Sequence, residues 1–115
     1  MTRPLAVLPA LLLLGMPLAA HHSLEAEYNP ERTVTLHGIV TRVAWSNPHV
    51  RFFVQVKDDG RTGNWEVEMG SPNSQFLHGW KIDTVRPGDR VTITALPARD
   101  GSHAAFARSI VRTGQ

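Results

Sequence analysis

Two adjacent histidines, His21 and His22, have the clearest chemical potential in the chain, and they directly follow Ala20. A protein that begins at His21 carries its free α-amine beside the His21 imidazole, so both nitrogens can bind one cation. A second imidazole would complete a three-nitrogen, T-shaped site, and copper(II) favours tetragonal nitrogen ligation. The pair therefore predicts a site for copper(II) or another divalent metal at a processed amino terminus.

Residues 1–20 have the plan of a secretory signal peptide: a basic residue near the start, an apolar core and small residues at the end. The apolar core is too short to span a bilayer as a helix. No second apolar run of that kind follows it. We therefore expect an exported protein, periplasmic or secreted, that keeps no membrane anchor.

Two cleavage points are open. Cleavage after Ala20 is favoured, because Leu18 is acceptable at the third-last position of the leader. Cleavage one residue earlier would put Pro17 there, which suits the peptidase less. That cut would nevertheless make His22 the third residue, and an amine, two amides and a third-position imidazole also form a square-planar copper or nickel site. Both cuts predict a metal-binding terminus.

A third nitrogen ligand is expected from His49. This histidine follows the turn signal of Asn47 and Pro48, and it falls on the outward face of a predicted strand. The other histidines that could supply the nitrogen are His37, His78 and His103. Met69 is the only methionine after residue 20, which excludes a thioether-rich copper(I) site.

The elements that must position these residues are mostly strands. Apolar and polar residues alternate or β-branched residues dominate in segments 33–45, 49–56, 64–69, 91–95 and 103–111. Between the third and fourth segments, Ser71 and Pro72 predict the start of a short helix that Gly79 ends. We expect Glu66 and Glu68 on the solvated face of the third strand. The residues expected to share one core are Val50, Phe52, Val54, Trp65, Val67, Val91 and Ile93.

This order of five strands, with a helix after the third, predicts an all-β domain at residues 33–112: the five-stranded Greek-key barrel called the OB-fold. Curling into a barrel removes the open edges that a flat sheet of this size would leave. A small open sandwich is the main alternative. Residues 21–32 are polar and precede the first strand, so they form an arm that reaches roughly 40 Å when extended.

An alternative function uses no metal. Arg51 and Phe53 share the outward face of the second predicted strand, through which OB barrels often bind their ligands. Trp45, Trp80 and Tyr28 are the further candidates for an aromatic face that binds an envelope protein or a small ligand.

Composition excludes several classes of protein. The chain has 115 residues and no cysteine, which excludes disulfides, thiolate metal sites and a cysteine nucleophile. Removal of residues 1–20 takes away one arginine and leaves eleven basic against ten acidic residues, a formal charge of +1. That small charge, together with export, predicts that nucleic acid is not a partner. No catalytic motif is present, so we expect a binding protein and not an enzyme.

Several short motifs resemble those of one family. They are His21-His22-Ser23, Trp45-Ser46-Asn47-Pro48-His49, Asn64-Trp65, Gly79-Trp80, Pro87-Gly88-Asp89 and Ala107-Arg108-Ser109. In this order they are similar to a family of small exported bacterial proteins whose domain has no known function and whose mature chains begin with paired histidines. The resemblance covers residues 21–112. It implies export and this chain plan, and it implies no activity.

Overall fold

The protein folds as a closed five-stranded barrel with a short helix after the third strand. The computed structural model describes Thr2 and residues 24–114, so the predictions for residues 1–20, His21 and His22 lie outside the described residues, apart from exposed Thr2. The elements are β1 (Val34–Ala44), β2 (Arg51–Val56), β3 (Gly63–Glu68), α1 (Pro72–Leu77), β4 (Arg90–Pro97) and β5 (Ala104–Arg112). The strands close in the order β1-β2-β3-β5-β4. The predicted OB-like barrel is confirmed.

The long first strand makes this closure possible. β1 has 11 residues and pairs antiparallel with both β2 and β4. Gly38 faces Val56 on one side and Val91 on the other, and a Cβ at Gly38 would collide with the carbonyl oxygen of Gln55. The register of β1 against β2 shifts between Val40 and Arg42, and not at Gly38. Gly38 serves the close approach of β2 instead.

The last seam of the barrel is the parallel pairing of β3 with β5. β4 pairs antiparallel with β5, which brings β5 back beside β3. Alternate residues of all five strands then point inward and form one core. The residues predicted for this core are all buried: Val50, Phe52, Val54, Trp65, Val67, Val91 and Ile93.

The helix begins and ends where the sequence predicts. The Ser71 hydroxyl accepts the backbone N–H of Ser74 at 3.1 Å, Pro72 occupies the first turn, and Gly79 follows the helix with φ +88°. Within the part of the chain that the structure describes, no helix is both long enough and apolar enough to cross a membrane.

Aromatic side chains gather near the helix. Trp45 stacks on Phe76 with ring centroids 5.1 Å apart, and Trp80 packs on Phe52 of the core at 5.9 Å. Ile82 is 64% exposed. Of the segment between α1 and β4, Trp80 packs against the core and Val85 lies within it.

The arm is bound to the barrel. Residues 24–27 are helical, and Tyr28 then forms an isolated bridge with Ala98 at the end of β4. The Asn29 N–H donates to the Pro97 carbonyl at 2.9 Å, and the Arg99 N–H donates to the Glu27 carbonyl at 2.8 Å. The polarity and length of the arm predict that it can reach many parts of the barrel. In the structure, the described arm residues lie along one edge of the barrel, beside residues 97–99.

Candidate binding site

An open cleft of about 680 Å³ lies between the arm and the outer face of β2 and β3. We call it the arm cleft. The residues that give it its chemistry are Leu24, Tyr28, His49, Arg51, Glu68 and Phe106. They come from the arm, from the loop before β2 and from three strands, so the cleft exists only when the arm is bound.

Glu68 is the centre of the polar contacts in the arm cleft. Its Oε2 accepts the Tyr28 hydroxyl at 2.7 Å. Its Oε1 accepts His49 Nδ1 at 2.8 Å and Arg51 Nη2 at 3.3 Å. The carboxylate is 9% exposed, so these three donors replace water around it. We expected Glu68 on a solvated face, and this was wrong because the arm covers that end of β3.

The contacts of Glu68 keep it ionised. Burial by itself would raise the pKa of this carboxyl group. Hydrogen bonds from Tyr28 and His49, with the electrostatic attraction of His49 and Arg51, outweigh burial and hold the pKa below its usual value. At neutral pH the group is therefore a carboxylate that only accepts hydrogen bonds.

An ionised Glu68 determines the tautomer of His49. Because the carboxylate cannot donate, His49 Nδ1 carries the proton in their 2.8 Å hydrogen bond. In the neutral ring the lone pair then lies on Nε2. The His49 side chain is 39% exposed and lines the arm cleft, so the ring is oriented and still accessible.

Tyr28 attaches the arm to this centre. Its ring is buried and lies 6.0 Å from that of Phe106. Burial and the hydrogen bond to Glu68 raise the pKa of the phenol well above its usual value, so the hydroxyl stays protonated and keeps donating. Sequence reasoning named Tyr28 only for an aromatic face and missed Glu68 as part of the site, because no local pattern shows that the arm buries Glu68.

The structure places the predicted site residues in three regions. His49 and Arg51 lie together in the arm cleft. Phe53 lies in a second cleft, and Trp45 and Trp80 pack against the core near the helix. The residues proposed for an aromatic face therefore do not form one surface.

The second cleft has a volume of about 620 Å³, and we call it the stacking cleft. The Arg42 guanidinium lies 4.2 Å from the centre of the Phe53 ring. His103 stacks on Trp65 with centroids 4.7 Å apart and planes within 7°. Two planar groups, the Arg42 guanidinium and the His103 imidazole, thus border this cleft, and each lies against an aromatic ring.

Residues 24–114 contain no group of three or more His, Asp or Glu side chains arranged to hold a metal ion. The alternative third ligands have other contacts: His37 Nδ1 bonds with Thr92 Oγ1 at 3.2 Å, His78 Nδ1 with the Ser74 carbonyl at 2.7 Å, and His103 stacks on Trp65. A three-ligand site that includes His49 would therefore have to draw on residues outside the described part, such as His21 and His22.

The barrel is similar to solved structures of Rim1, the mitochondrial single-stranded DNA-binding protein of S. cerevisiae. One crystal form is 17% identical, with a TM-score of 0.51, and the match covers 70% of this chain and 93% of that one. Another form is 16% identical, with a TM-score of 0.50, and covers 73% and 97%. At this identity the likeness shows the fold. Curated proteins give no significant match.

The prediction that nucleic acid is excluded as a partner was wrong. It rested on a formal charge of +1 and on expected export, whereas solved structures that share this barrel include those of a single-stranded DNA-binding protein. The net charge of the whole chain does not give the charge of one of its faces. Here each of the two clefts has its own arginine, Arg51 in the arm cleft and Arg42 in the other.

The family assignment is independent of the structural likeness. The family of unknown function DUF6152 matches residues 10–107, which include the arm, His49, Glu68 and all of the barrel up to β5. The chain belongs to the DUF6152 family.

Proposed function

We propose that the protein is a metal-binding module and not an enzyme. It holds copper(II), or another divalent cation, between a processed amino terminus at His21 and His22 and Nε2 of His49. The observation that carries the proposal is the 2.8 Å hydrogen bond from His49 Nδ1 to buried Glu68. This bond leaves the lone pair of His49 Nε2 available to a cation in the arm cleft. Imidazole nitrogen is a preferred ligand of copper, nickel and zinc.

The contacts of His49 match those of metal-bound histidines in general. Such histidines usually donate their second ring N–H to a carboxylate or carbonyl, which fixes the tautomer and raises the basicity of the ligating nitrogen. Glu68 supplies that carboxylate from a buried position. An exposed histidine without such a partner would have to lose ring rotation on binding, whereas His49 is already oriented.

The amino terminus is within reach of His49. Leu24 lines the same cleft as His49, and His21 comes three positions before Leu24 in the chain. Three residues span at most about 10 Å when extended. The arm therefore needs no rearrangement of the barrel to bring an α-amine and two imidazoles to the cleft.

Export and processing are part of the proposal, because the chelate needs a free α-amine. Protein produced with residues 1–20 and recovered from the envelope fraction should have the intact mass of a chain that begins at His21. A mass that retains residues 1–20 would contradict both the expected location and the terminal chelate.

Copper(II) titration followed by electron paramagnetic resonance tests the site. The processed protein should give a nitrogen-rich spectrum, His49→Ala should lose one nitrogen, and His21→Ala should weaken binding strongly. The matched control is His78→Ala, which removes an exposed histidine that bonds only with its own helix. If His49→Ala and His78→Ala have the same spectrum and affinity as the parent, His49 is not a ligand.

A single glycine inserted before His21 separates the amine from the His21 ring and keeps every imidazole. Binding should weaken in this variant. The insertion places His22 third, so tight binding that persists must be tested again with His22→Ala added. Equally weak copper binding by the parent, the extended form and the combined variant would overturn the metal proposal.

The stacking cleft favours a second candidate function: binding of planar rings, such as the bases of single-stranded nucleic acid. It lies on the β2–β3 face through which OB barrels often bind, and it offers Arg42 over Phe53 and His103 over Trp65. Arg42 makes no ion pair among the described residues, so its guanidinium is available to bind an anionic group of a ligand. Stacking of one base on an aromatic side chain contributes about 1–3 kcal/mol.

A fluorescent oligothymidylate tests this candidate by anisotropy at low and moderate salt. Binding should weaken with Phe53→Ala and Arg42→Ala and should fall with salt, since phosphate contacts release counterions. Arg108→Ala, on the exposed side of β5, is the charge-matched control. Equal binding by all three variants would show that the stacking cleft is not the site.

A further inference from the structure

We propose that Glu66 makes the stacking cleft select cytosine over uracil and thymine. The inference rests on base binding in this cleft, the second candidate function, and it names the pyrimidine that the cleft takes. Among the described residues that line the stacking cleft, Glu66 is the one carboxylate. It also lines the arm cleft, so it stands where the two clefts meet on the outer face of β3.

Three side chains of different chemistry form a row across the outer face of the sheet. Arg42 of β1 is paired with Phe53 of β2, and Phe53 is paired with Glu66 of β3. Neighbouring strands lie about 4.7–4.9 Å apart, so side chains of directly paired residues can contact one another. The order across the cleft is therefore a cation, an aromatic ring and a carboxylate.

Glu66 uses one carboxylate oxygen within the protein. Its Oε1 accepts Arg51 Nη1 at 3.0 Å. Its Oε2 has no hydrogen-bond partner among the described residues, and the side chain is 44% exposed. The backbone of this residue is fixed, since the Glu66 N–H donates to the His103 carbonyl at 3.0 Å. The carboxylate is thus held in place at the cleft with one oxygen available to a ligand.

The two ends of the row distinguish pyrimidines by their hydrogen-bonding groups. Arg42 carries only donors, and an ionised Glu66 carries only acceptors. Cytosine has a carbonyl oxygen, O2, and an amino group, N4, at opposite ends of one edge, so it can satisfy both ends of the row at once. Uracil and thymine have a carbonyl oxygen at both positions, and one of the two would face the carboxylate. Carboxylates also accept from the cytosine amino group in DNA recognition.

Selection by Glu66 lowers the affinity for every strand. Stacking on aromatic rings hardly distinguishes the bases, so oligothymidylate and oligouridylate also bind by stacking and by phosphate contacts. The negative charge of Glu66 repels the phosphates of all of them and neutralises Arg51. General affinity and base preference should therefore respond in opposite directions when this charge is removed.

Anisotropy of fluorescent oligodeoxycytidylate and oligodeoxyuridylate, equal in length, tests the selection on the processed protein at neutral pH. The two ligands share the same backbone and differ in the base groups that would meet the row. The parent should bind the cytidylate about 2–12-fold more tightly, the range that one net hydrogen bond gives.

Two variants of Glu66 separate its charge from its acceptor oxygen. Glu66→Gln should bind both strands more tightly and lose the preference, because an amide can also donate to a uracil carbonyl. Glu66→Asp keeps the charge and withdraws the carboxylate, so the preference should fall without a general gain in affinity. The matched control is Glu31→Gln, the same change at an exposed position that lines neither cleft, and it should keep the preference.

The outcomes are distinct. If neither strand binds, or if Phe53→Ala leaves binding unchanged, base binding in the stacking cleft and the selection fail together. If Phe53→Ala weakens binding while the parent binds both strands equally, base binding stands and the selection is overturned. A preference for cytidylate that persists in both Glu66→Gln and Glu66→Asp would also overturn the role of Glu66. Tryptophan fluorescence during urea unfolding confirms that each variant is folded.

Discussion

The Tyr28 hydroxyl donates a 2.7 Å hydrogen bond to Glu68 Oε2, although the two residues are 40 positions apart in the chain. The bond joins the arm to the far end of β3, and both side chains are buried. Tyr28 is the only tyrosine of the protein, so its ionisation can be followed without assignment.

We expect Tyr28 to resist ionisation in the folded protein. Burial and Glu68 raise its pKa above the value of the unfolded chain, about 10. The associated stability is therefore complete below about pH 10 and is lost as pH rises from there toward the folded pKa. Ultraviolet titration of the phenolate should show a midpoint well above that of the urea-unfolded protein. Equal midpoints for the folded and the unfolded protein would show that the Tyr28 phenol is neither buried nor bonded to Glu68.

Glu68 predicts the acid side of the stability profile. Its folded pKa lies below the usual 4.5, so its contribution is present above that pH and is lost as pH falls through the folded value. Glu68→Gln should reduce stability at neutral pH by about 1–3 kcal/mol, because buried Tyr28 and the half-exposed His49 and Arg51 lose a charged acceptor. It should also flatten the decline in acid.

Urea unfolding at stepped pH measures both effects of Glu68→Gln. The matched control is Glu66→Gln. Glu66 lies two residues away on the same face and bonds with Arg51 at 3.0 Å, but its side chain is 44% exposed. Its loss should matter less, since exposed ion pairs contribute about 0–1 kcal/mol. Equal effects of the two variants would contradict the role of burial.

Trp65 should be a major contributor to stability. Its ring lies in the core, and its indole N–H donates to the Arg61 carbonyl at 2.8 Å. Trp65→Ala should cost about 3–5 kcal/mol, a large part of the stability of a small domain. Val111→Ala, at an exposed β5 position, is the control in thermal and urea unfolding. A melting temperature equal to that of the parent would contradict the packing of β3.

Gly38→Ala should destabilise the barrel by forcing β1 and β2 apart. The new Cβ would collide with the Gln55 backbone and with Val54, and overpacking of this kind costs about 1–3 kcal/mol. At Gly70 the added Cβ meets the Gln75 side-chain amide at 2.9 Å, which can rotate away. Gly70→Ala is therefore the control, and it should lose less stability than Gly38→Ala in urea unfolding. A smaller loss of stability in Gly38→Ala than in Gly70→Ala would contradict the close approach of β2 to β1.

The strands and the helix could be predicted because their signals are local. Alternation in Val50, Phe52 and Val54 shows which side faces the core, and Ser71 with Gly79 marks the limits of the helix. The barrel follows once five such strands must bury their apolar faces in one small domain. Each of these inferences uses neighbours in the chain and no knowledge of distant contacts.

The site was only partly predictable, because it depends on which element covers which face. The pattern placed His49 and Arg51 outward, and the structure brings both into the arm cleft. The same pattern placed Glu68 outward, where a polar residue is ordinarily solvated. Nothing near Tyr28 or Glu68 in the sequence indicates that they meet, since their bond depends on where the arm lies.

The docking of the arm also has a kinetic consequence. Its attachment points, Glu68 at the end of β3 and residues 97–99 after β4, come together only when the sheet has curled shut. We therefore expect the arm to dock after the folding transition state, and contacts formed after that barrier slow unfolding without speeding folding. The arm would then determine how long the folded barrel persists, and the barrel strands how fast it forms.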